Sequence, residues 1–588
     1  MIPDDLQLSA RPVAHLPLVR AVIDKLGILD VIDEHCPKHA LNRVADSDCV
    51  LALITNVLAG RPALYRMDEW LGRLDVEVLF GEGAQADAFH DTRLGVALDH
   101  LDQAGTDNIM FDVSQRYLTD TPGDFVAHHD TTSVSLFGAY RDDDAAPAPA
   151  HGFSKDHRPD LLQLVYGLTL HGAAAAPLVV TVEPGNTADS TVARDHLARL
   201  ADVLPDEREV TLVGDCKLVD KHTVGRILRA GMHFVSLLPD SFRLRRELIE
   251  RAWTQVPALA DWPVLATKPG RRKADAPTAY RGQSFEAPFR AILEDADGVG
   301  EDSMEDLRFL VVASDTLAAK FDRGLDKKLE REAVAVAKKV SAANKKSFAC
   351  EADARSAAES AAAKVALHRA TVQLIPEERR EKRAHVGRPR KDETHEYTTV
   401  WTFDLVLEPD QHAIDEARKR ASCFVLVTDW MADEWDDARV LGEYRHQHMI
   451  EGHTGFRWLK GPAAVAPVFL KTPERIRAMG LVLILALMVR NYIQATLRTE
   501  LEARGETLPH PFTKKEETSL TPEMAFEHFA GVMGQVVSLG PARRRMPVQL
   551  RAPALRILAL FRMDSRIFDP PRGGRWKWPR LDSETSEM

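Results

Sequence analysis

A mixed α/β fold (α+β over the whole chain), in which a mixed sheet is covered by helices and both ends are helical, is what this sequence predicts. Three observations carry that reading. Between residues 121 and 240, five short β-rich runs, FVAHHD, LLQLVYGLTL, LVVTV, VTLVG and HFVSLL, are separated in places by stretches that read helical. The first 120 residues carry helical periodicity, as in LVRAVIDKLGILDVIDE and SDCVLALITNVLAG. Late in the chain, AMGLVLILALMV is bounded by Arg477 and Arg490, too short a run to span a bilayer, so it predicts a buried core helix.

Taken in order, residues 1–120 predict a helical N-terminal domain, and 121–240 the first part of the sheet-bearing core. In the latter, DSTVARDHLARLADVL and VDKHTVGRILRA are the helical connections. Residues 241–430 are heterogeneous and predict an inserted α+β domain, because a compact core needs only a short connection before its next helix. Within it, LRFLVVAS, TVWTFDLVLE and SCFVLVTD read as strands of a small separate sheet, the alternative being that they extend the core sheet. The Ala/Lys/Glu-rich stretch 315–372 reads as an exposed, solvated helical excursion. Residues 431–500 predict the helical completion of the core. The C-terminal region, 501–588, predicts one helix near 522–537 and ends Pro/Arg-rich.

Composition narrows the class. At 588 residues the chain exceeds a single core and should divide into three or four domains. A net charge of −12 argues mildly against nucleic acid, yet basic segments recur at 379–391 and 543–580. The five cysteines form no zinc spacing and read as reduced thiols. The N-terminus shows no signal pattern, so a cytoplasmic protein with no membrane partner is expected.

The chemistry concentrates on acids. Asp130 ends FVAHHD and precedes two hydroxyls, and Asp215 ends EVTLVGD. An aspartate at a strand end is usually a turn former. Two of them at strand ends of one β-α-β sheet, however, lie where such folds place their sites. Glu451 lies in YRHQHMIEGHTGFRWLKGP, which leads toward the apolar helix. Two Asp and a later Glu make a set of hard oxygen ligands suited to Mg²⁺ or Mn²⁺ rather than zinc. His128, His129, His151 and His157 have no spacing that compels a metal site.

These residues resemble the acidic triad of DDE transposases of the bacterial insertion-sequence type, which have an RNase H-like catalytic core. SKDHRPDLLQLVYGL followed by GNTADS resembles the block between the two Asp, and FRWLKGP with VFLKTPERIRAMGLVL resembles the segment after the Glu. LPLVRAVIDKLGILDVID resembles the opening helical module. The wider superfamily carries Y-x2-R-x3-E-x6-K. Here Tyr444 and Glu451 keep that spacing, Gln447 stands at the Arg position, and Lys460 follows Glu451 by nine residues rather than seven. On a continuous helix nine residues point nearly opposite. Either the GHTG stretch breaks the helix or Lys460 does not share the site. His453 lies seven before Lys460, but Glu451 is the better ligand for hard metals.

The resemblance implies an RNase H-like mixed sheet with flanking helices. It implies two divalent ions, Mg²⁺ or Mn²⁺, held by Asp130, Asp215 and Glu451, which cut at transposon ends and then join them to target DNA. It also implies double-stranded DNA as partner (the element's terminal inverted repeats and the target), a homodimer in the active complex, and DNA-end binding by the N-terminal domain. Tyr444, Gln447 and Lys460 are then expected to contact phosphates. VGRPRK, with Arg388, Arg390 and Lys391, resembles an Arg-rich minor-groove hook. Two rival readings are a metal-dependent nuclease of the same fold and a catalytically decayed DNA-binding protein.

Overall fold

The computed structural model describes residues 6–571 apart from 60–62, 120–124, 136–149, 153–157, 159, 173, 188–195, 198, 201–202, 204–208, 270–276, 295–299, 381–396, 452–453 and 461–471. The chain falls into two compact units, one built from 1–236, 289–305 and 443–588, the other from 237–288 and 306–442.

The first unit opens with strand β1 (Leu6–Pro12), which the sequence reading missed. Helices α1 (Leu16–Lys25), α2 (Ile28–His35), α3 (Asp46–Leu58), α4 (Met67–Gly72), α5 (Val76–Phe80), α6 (Asp91–Ala104) and α7 (Thr106–Thr119) follow. Gly27, at φ 66°, makes the left-handed turn between α1 and α2, where a Cβ would also press on Arg116 at 3.2 Å. Of these, α1, α3, α6 and α7 pack on the long helix Pro473–Arg504, in which all of residues 478–489 are buried. That helix spans 32 residues, well beyond its apolar run; it is long and apolar enough to cross a membrane, but its most apolar window is 83% buried within the protein. Two bidentate ion pairs, Arg475 with Asp99 and Arg477 with Asp102, join it to α6 at 2.7–2.8 Å.

All five strands expected between 121 and 240 form: β2 (Phe125–Ser135), β3 (Gln163–His171), β4 (Ala176–Pro184), β5 (Val210–Gly214) and β6 (His233–Leu237). They lie in the order β4-β3-β2-β5-β6, with β2 parallel to β5, β5 parallel to β6, and the β2–β3 and β3–β4 pairs antiparallel. This is a mixed sheet. The helix Lys221–Arg229 starts where Asp220 accepts from the His222 and Thr223 amides. The helix expected over 189–204 lies largely outside the described residues.

The expected helix over 522–537 stops at Glu527. Gly531, at φ 80°, turns the chain, and Met533–Leu539 is a strand paired with β1 on one side and Ala542–Met546 on the other. Its β-branched pair Val536–Val537 and the Gly540 turn suit a hairpin better than a helix.

The second unit contains β7 (Val264–Lys268), most of β8 (Thr278–Glu294) and of β9 (Gly300–Ser314), β10 (His368–Arg380), β11 (Tyr397–Pro409) and β12 (Cys423–Thr428). Two expectations are corrected here. LRFLVVAS in β9 pairs with SCFVLVTD in β12, but TVWTFDLVLE in β11 pairs with β10 in a separate two-stranded ribbon, so the three strands make no common sheet. The stretch 315–372 is helical over most of its length and largely exposed, as expected, but it packs on a ribbon rather than standing alone. It divides into helices Asp315–Arg323, Leu325–Ala343 and Glu351–Ala362, and then enters β10. Val336 and Val340, one turn apart, and Ala358 pack on Phe403 and Leu405 of β11, giving the ribbon a core of its own.

Candidate active site

Side chains on a strand alternate between faces, and β2 divides its chemistry accordingly. On one face His129 Nδ1 lies 3.3 Å from Thr169 Oγ1, the residue directly opposite it on β3. Thr169 Oγ1 is 2.6 Å from His196 Nε2, and His196 Nδ1 is 3.1 Å from Thr181 Oγ1. The His129 and His196 rings lie 4.3 Å apart. Burial drives His196 well below the ordinary imidazole range, with His129 and Arg199 adding to the effect, so the ring is neutral.

The opposite face carries His128 and Asp130. His128 is 1% exposed, and its Nδ1 lies 3.2 Å from Gln447 Oε1. A carboxamide oxygen only accepts, so His128 holds its proton on Nδ1. Burial lowers His128 to about 4. The other half of the amide, Gln447 Nε2, donates to the His129 carbonyl at 2.7 Å. Gln447, expected to face DNA, is therefore 8% exposed with both ends of its amide engaged on β2.

Asp130 lies mid-strand rather than at a strand end, because β2 continues to Ser135. It stands instead where the parallel neighbour stops. β5 sets Val213 beside His128 and Gly214 beside His129, so Asp215 comes level with Asp130 one residue past the end of β5. The Asp215 backbone stays extended, at φ −74° and ψ 179°. Adjacent strands are about 4.8 Å apart, so the register sets these two half-buried residues side by side. Local bonds hold both. Asp130 Oδ1 accepts from the Thr131 amide at 2.7 Å, and Asp215 Oδ1 from the Lys217 amide at 3.0 Å. Ser236 Oγ on β6 donates to the Asp215 carbonyl at 2.7 Å.

Glu451 reaches this face from the far end of the chain. The helix Asp437–His446 yields at Gln447 to a short helix, His448–Glu451, which packs on β2 and β3. The Glu451 backbone thus follows the Gln447 anchor by four residues, about one helical turn; its side chain is outside the described set. Beyond it the helix ends. Thr454 Oγ1 donates to the Met449 carbonyl at 2.7 Å, and the Thr454 carbonyl accepts from Asn491 Nδ2 at 2.7 Å. At Gly455 a Cβ would lie 2.0 Å from the Ile450 carbonyl oxygen, so only glycine fits. A new helix, Phe456–Leu459, then leads to Lys460. Glu451 and Lys460 do not share one continuous helix, and the nine-residue phase argument does not apply to them. Tyr444 and Lys460 are half-buried. Arg388, Arg390 and Lys391 lie outside the described residues, as does His453.

Sequence reading missed Glu443 and the strut role of Gln447. Glu443, one turn before Gln447, is half-buried; its charge acts on His128, and it lies 3.4 Å from His446, whose pKa it raises. The four-residue spacing Glu443–Gln447–Glu451 was the available signal. None of the five cysteines forms a disulfide, and Cys350 is exposed, where its Sγ accepts from the Asp353 amide. Among the described residues no group of three or more His, Cys, Asp or Glu side chains is placed to hold a metal ion. That set does not include the Glu451 carboxylate.

Residues 8–115, from β1 into α7, match the family described as Domain of unknown function (DUF4277). No curated protein matches the chain. Among solved structures, it is similar to the cryo-EM structure of a piggyBac transposase synaptic complex with hairpin DNA. The identity is 11%, over 47% of this chain and 60% of that one, with a TM-score of 0.25. A likeness at that score carries no argument for fold or function.

Proposed function

We propose that the chain is a DNA transposase of the DDE type, which cuts at the ends of an insertion sequence and joins them to target DNA by two-metal phosphoryl transfer. One observation supports this best: Asp130 and Asp215 stand level on neighbouring parallel strands, on the face where Gln447 anchors the helix leading to Glu451. Two adjacent half-buried carboxylates are hard oxygen donors and fit Mg²⁺ or Mn²⁺. Asp130, Asp215 and Glu451 would hold two such ions, which when bound supply the charge that activates water or a DNA 3′-hydroxyl and offsets the leaving oxygen.

The protein's own residues set the geometry. Gln447 fixes the Glu451 helix to β2, and Gly455 lets the chain fold back over Ile450. His128, neutral and buried, orients the Gln447 amide without adding charge beside the acids. Tyr444 and Lys460 contact phosphates near the cut, the lysine as a point charge. Arg388, Arg390 and Lys391, in the segment joining β10 to β11, enter the minor groove. The partners are the element's terminal inverted repeats and target DNA, and the working unit is a homodimer, because two ends are cut in concert. The protein works in the cytoplasm.

The test is an assay of the full chain on DNA bearing its paired terminal repeats, with Mg²⁺. Cutting with joining is the expected result. Cutting alone would make it a nuclease of the same kind, binding alone a decayed relative, and no interaction with DNA would overturn the reading.

A further inference from the structure

Between Glu332 and Glu351 the chain carries four lysines, Lys338, Lys339, Lys345 and Lys346, and no acid. The second unit gathers them at one end of its ribbon. The helix Leu325–Ala343 runs beside the ribbon, from Glu332, whose carboxylate is 2.7 Å from His368 at the start of β10, to Asn344. Asn344 clasps β11, giving a bond to the Phe403 carbonyl at 2.7 Å and accepting from the Phe403 amide at 3.2 Å. Phe348 and Trp401 then exchange backbone bonds of 2.8 Å, so the loop carrying Lys345 and Lys346 lies along the outer edge of β11. Arg379 Nη1 reaches Ser347 Oγ at 3.3 Å, which brings the end of β10 to the same loop. Arg380 follows, opposite Tyr397, which is 59% exposed.

The four lysines, Arg379 and Arg380 are all exposed, and among the described residues none of the six forms an ion pair. Against six cations stand Glu377 and Glu378 on β10 and Asp353 in the first turn of the next helix, whose Glu351 pairs with Arg355, leaving an excess of three positive charges in a chain whose net charge is −12. Helix C-termini accept nearby cations for less than about 1 kcal/mol each, which does not account for six.

We infer that this end of the ribbon is a surface for the phosphate backbone of duplex DNA, read without regard to sequence. The cations stand on long stems, spread over a helix end, a loop and a strand end. That suits a repeating polyanion, which presents a charge about every 1.7 Å along its axis, better than it suits the apolar centre of a protein interface. The inference rests on the proposed DNA-processing role and names how the second unit serves it.

The test uses the full chain and a random-sequence 30-base-pair duplex, without divalent metal, between 50 and 200 mM salt. Removing divalent metal separates grip from chemistry. The variant K338Q/K339Q/K345Q/K346Q should keep its thermal unfolding profile, since its changes are all exposed. Its log K against log salt should become shallower by about 0.9 for each phosphate no longer neutralised, roughly 2–4 in all. Affinity at 50 mM should fall at least tenfold. If the quadruple variant does not fold, K345Q/K346Q is read in the same way for half the effect. An unchanged slope overturns the inference, as does an equal drop per charge in K514Q/K515Q, which lies in the first unit. A parent chain that binds no duplex at all would instead undo the functional reading beneath it.

Discussion

The acids of β2 and β5 and the cations at the end of the β10–β11 ribbon are opposite in more than sign. Asp130 and Asp215 are short side chains fixed by strand register, each with an oxygen tied to a nearby backbone amide. The six cations stand on long stems whose heads have no ionic partner among the described residues. Short, fixed groups suit a task in which ångströms matter. Long, free ones suit a task in which total charge matters. The net charge of −12 averages the two and describes neither.

The largest expected effect tests that division directly. Asp130→Asn, Asp215→Asn or Glu451→Gln should each lower strand cleavage with Mg²⁺ by on the order of 10³-fold or more, with duplex affinity in a filter assay unchanged. If an acid variant loses affinity and cleavage in parallel, the two tasks are not separate. Near-normal cleavage by E451Q, with loss in a His453→Ala chain, would move the third ligand to His453.

Phe403→Ala should sharpen the contrast from the other side. Phe403 is 1% exposed in the ribbon's own cluster, and its truncation should cost about 3–5 kcal/mol. Hydrogen exchange should show 325–380 losing protection while 125–135 keeps it. Equal loss in both would mean that the ribbon's core is not its own.

Gln447→Leu is expected to cost a similar amount. It leaves the His129 carbonyl and His128 Nδ1 buried without the amide, at about 1–3 kcal/mol for each group. Turnover should fall with KM for DNA unchanged, because the strut places the Glu451 helix and does not grip the duplex. A rise in KM alone would return Gln447 to the DNA-contacting role the sequence suggested.

The smallest effect touches neither charged region. His15 stacks on Phe526 with ring centroids 4.0 Å apart, and burial holds its pKa near 4 against an ordinary 6.5. The folded protein keeps the ring neutral while the unfolded chain takes up a proton below 6.5. Its contribution is therefore complete above that pH and is lost as pH falls toward 4. Urea unfolding should show about 2 kcal/mol of this loss between pH 7.5 and 5, and His15→Gln should lose correspondingly less stability over that range.

Much of the core was legible because its strands are short apolar runs flanked by turn residues, and because Asp215 falls at the margin of one of them. The adjacency of Asp130 and Asp215 was not legible from their separation of 85 residues; it comes from the β2–β5 register. β10 escaped notice because HRATVQLIPEERR alternates only over its first half, then runs into Pro376 and charge after a helix-forming stretch. The role of Gln447 depended on two histidines more than 300 residues away. β1 signals weakly because its one sheet neighbour, Met533–Leu539, comes more than 500 residues later.

That last pairing has a consequence for the order of events during synthesis. Leu6 pairs with Leu539 and Pro12 with Met533, and Asp75 and Glu77 beside α5 receive Arg545 and Arg543. At roughly 5–20 residues per second, the ribosome needs on the order of half a minute to two minutes to deliver the partners of β1. Through that interval the opening strand presents a bare edge, and the Asp75 and Glu77 carboxylates lack these arginines. The nascent chain must keep that edge from pairing with a neighbour's on the same polysome, and a chaperone that holds extended segments is the natural guardian of this stage.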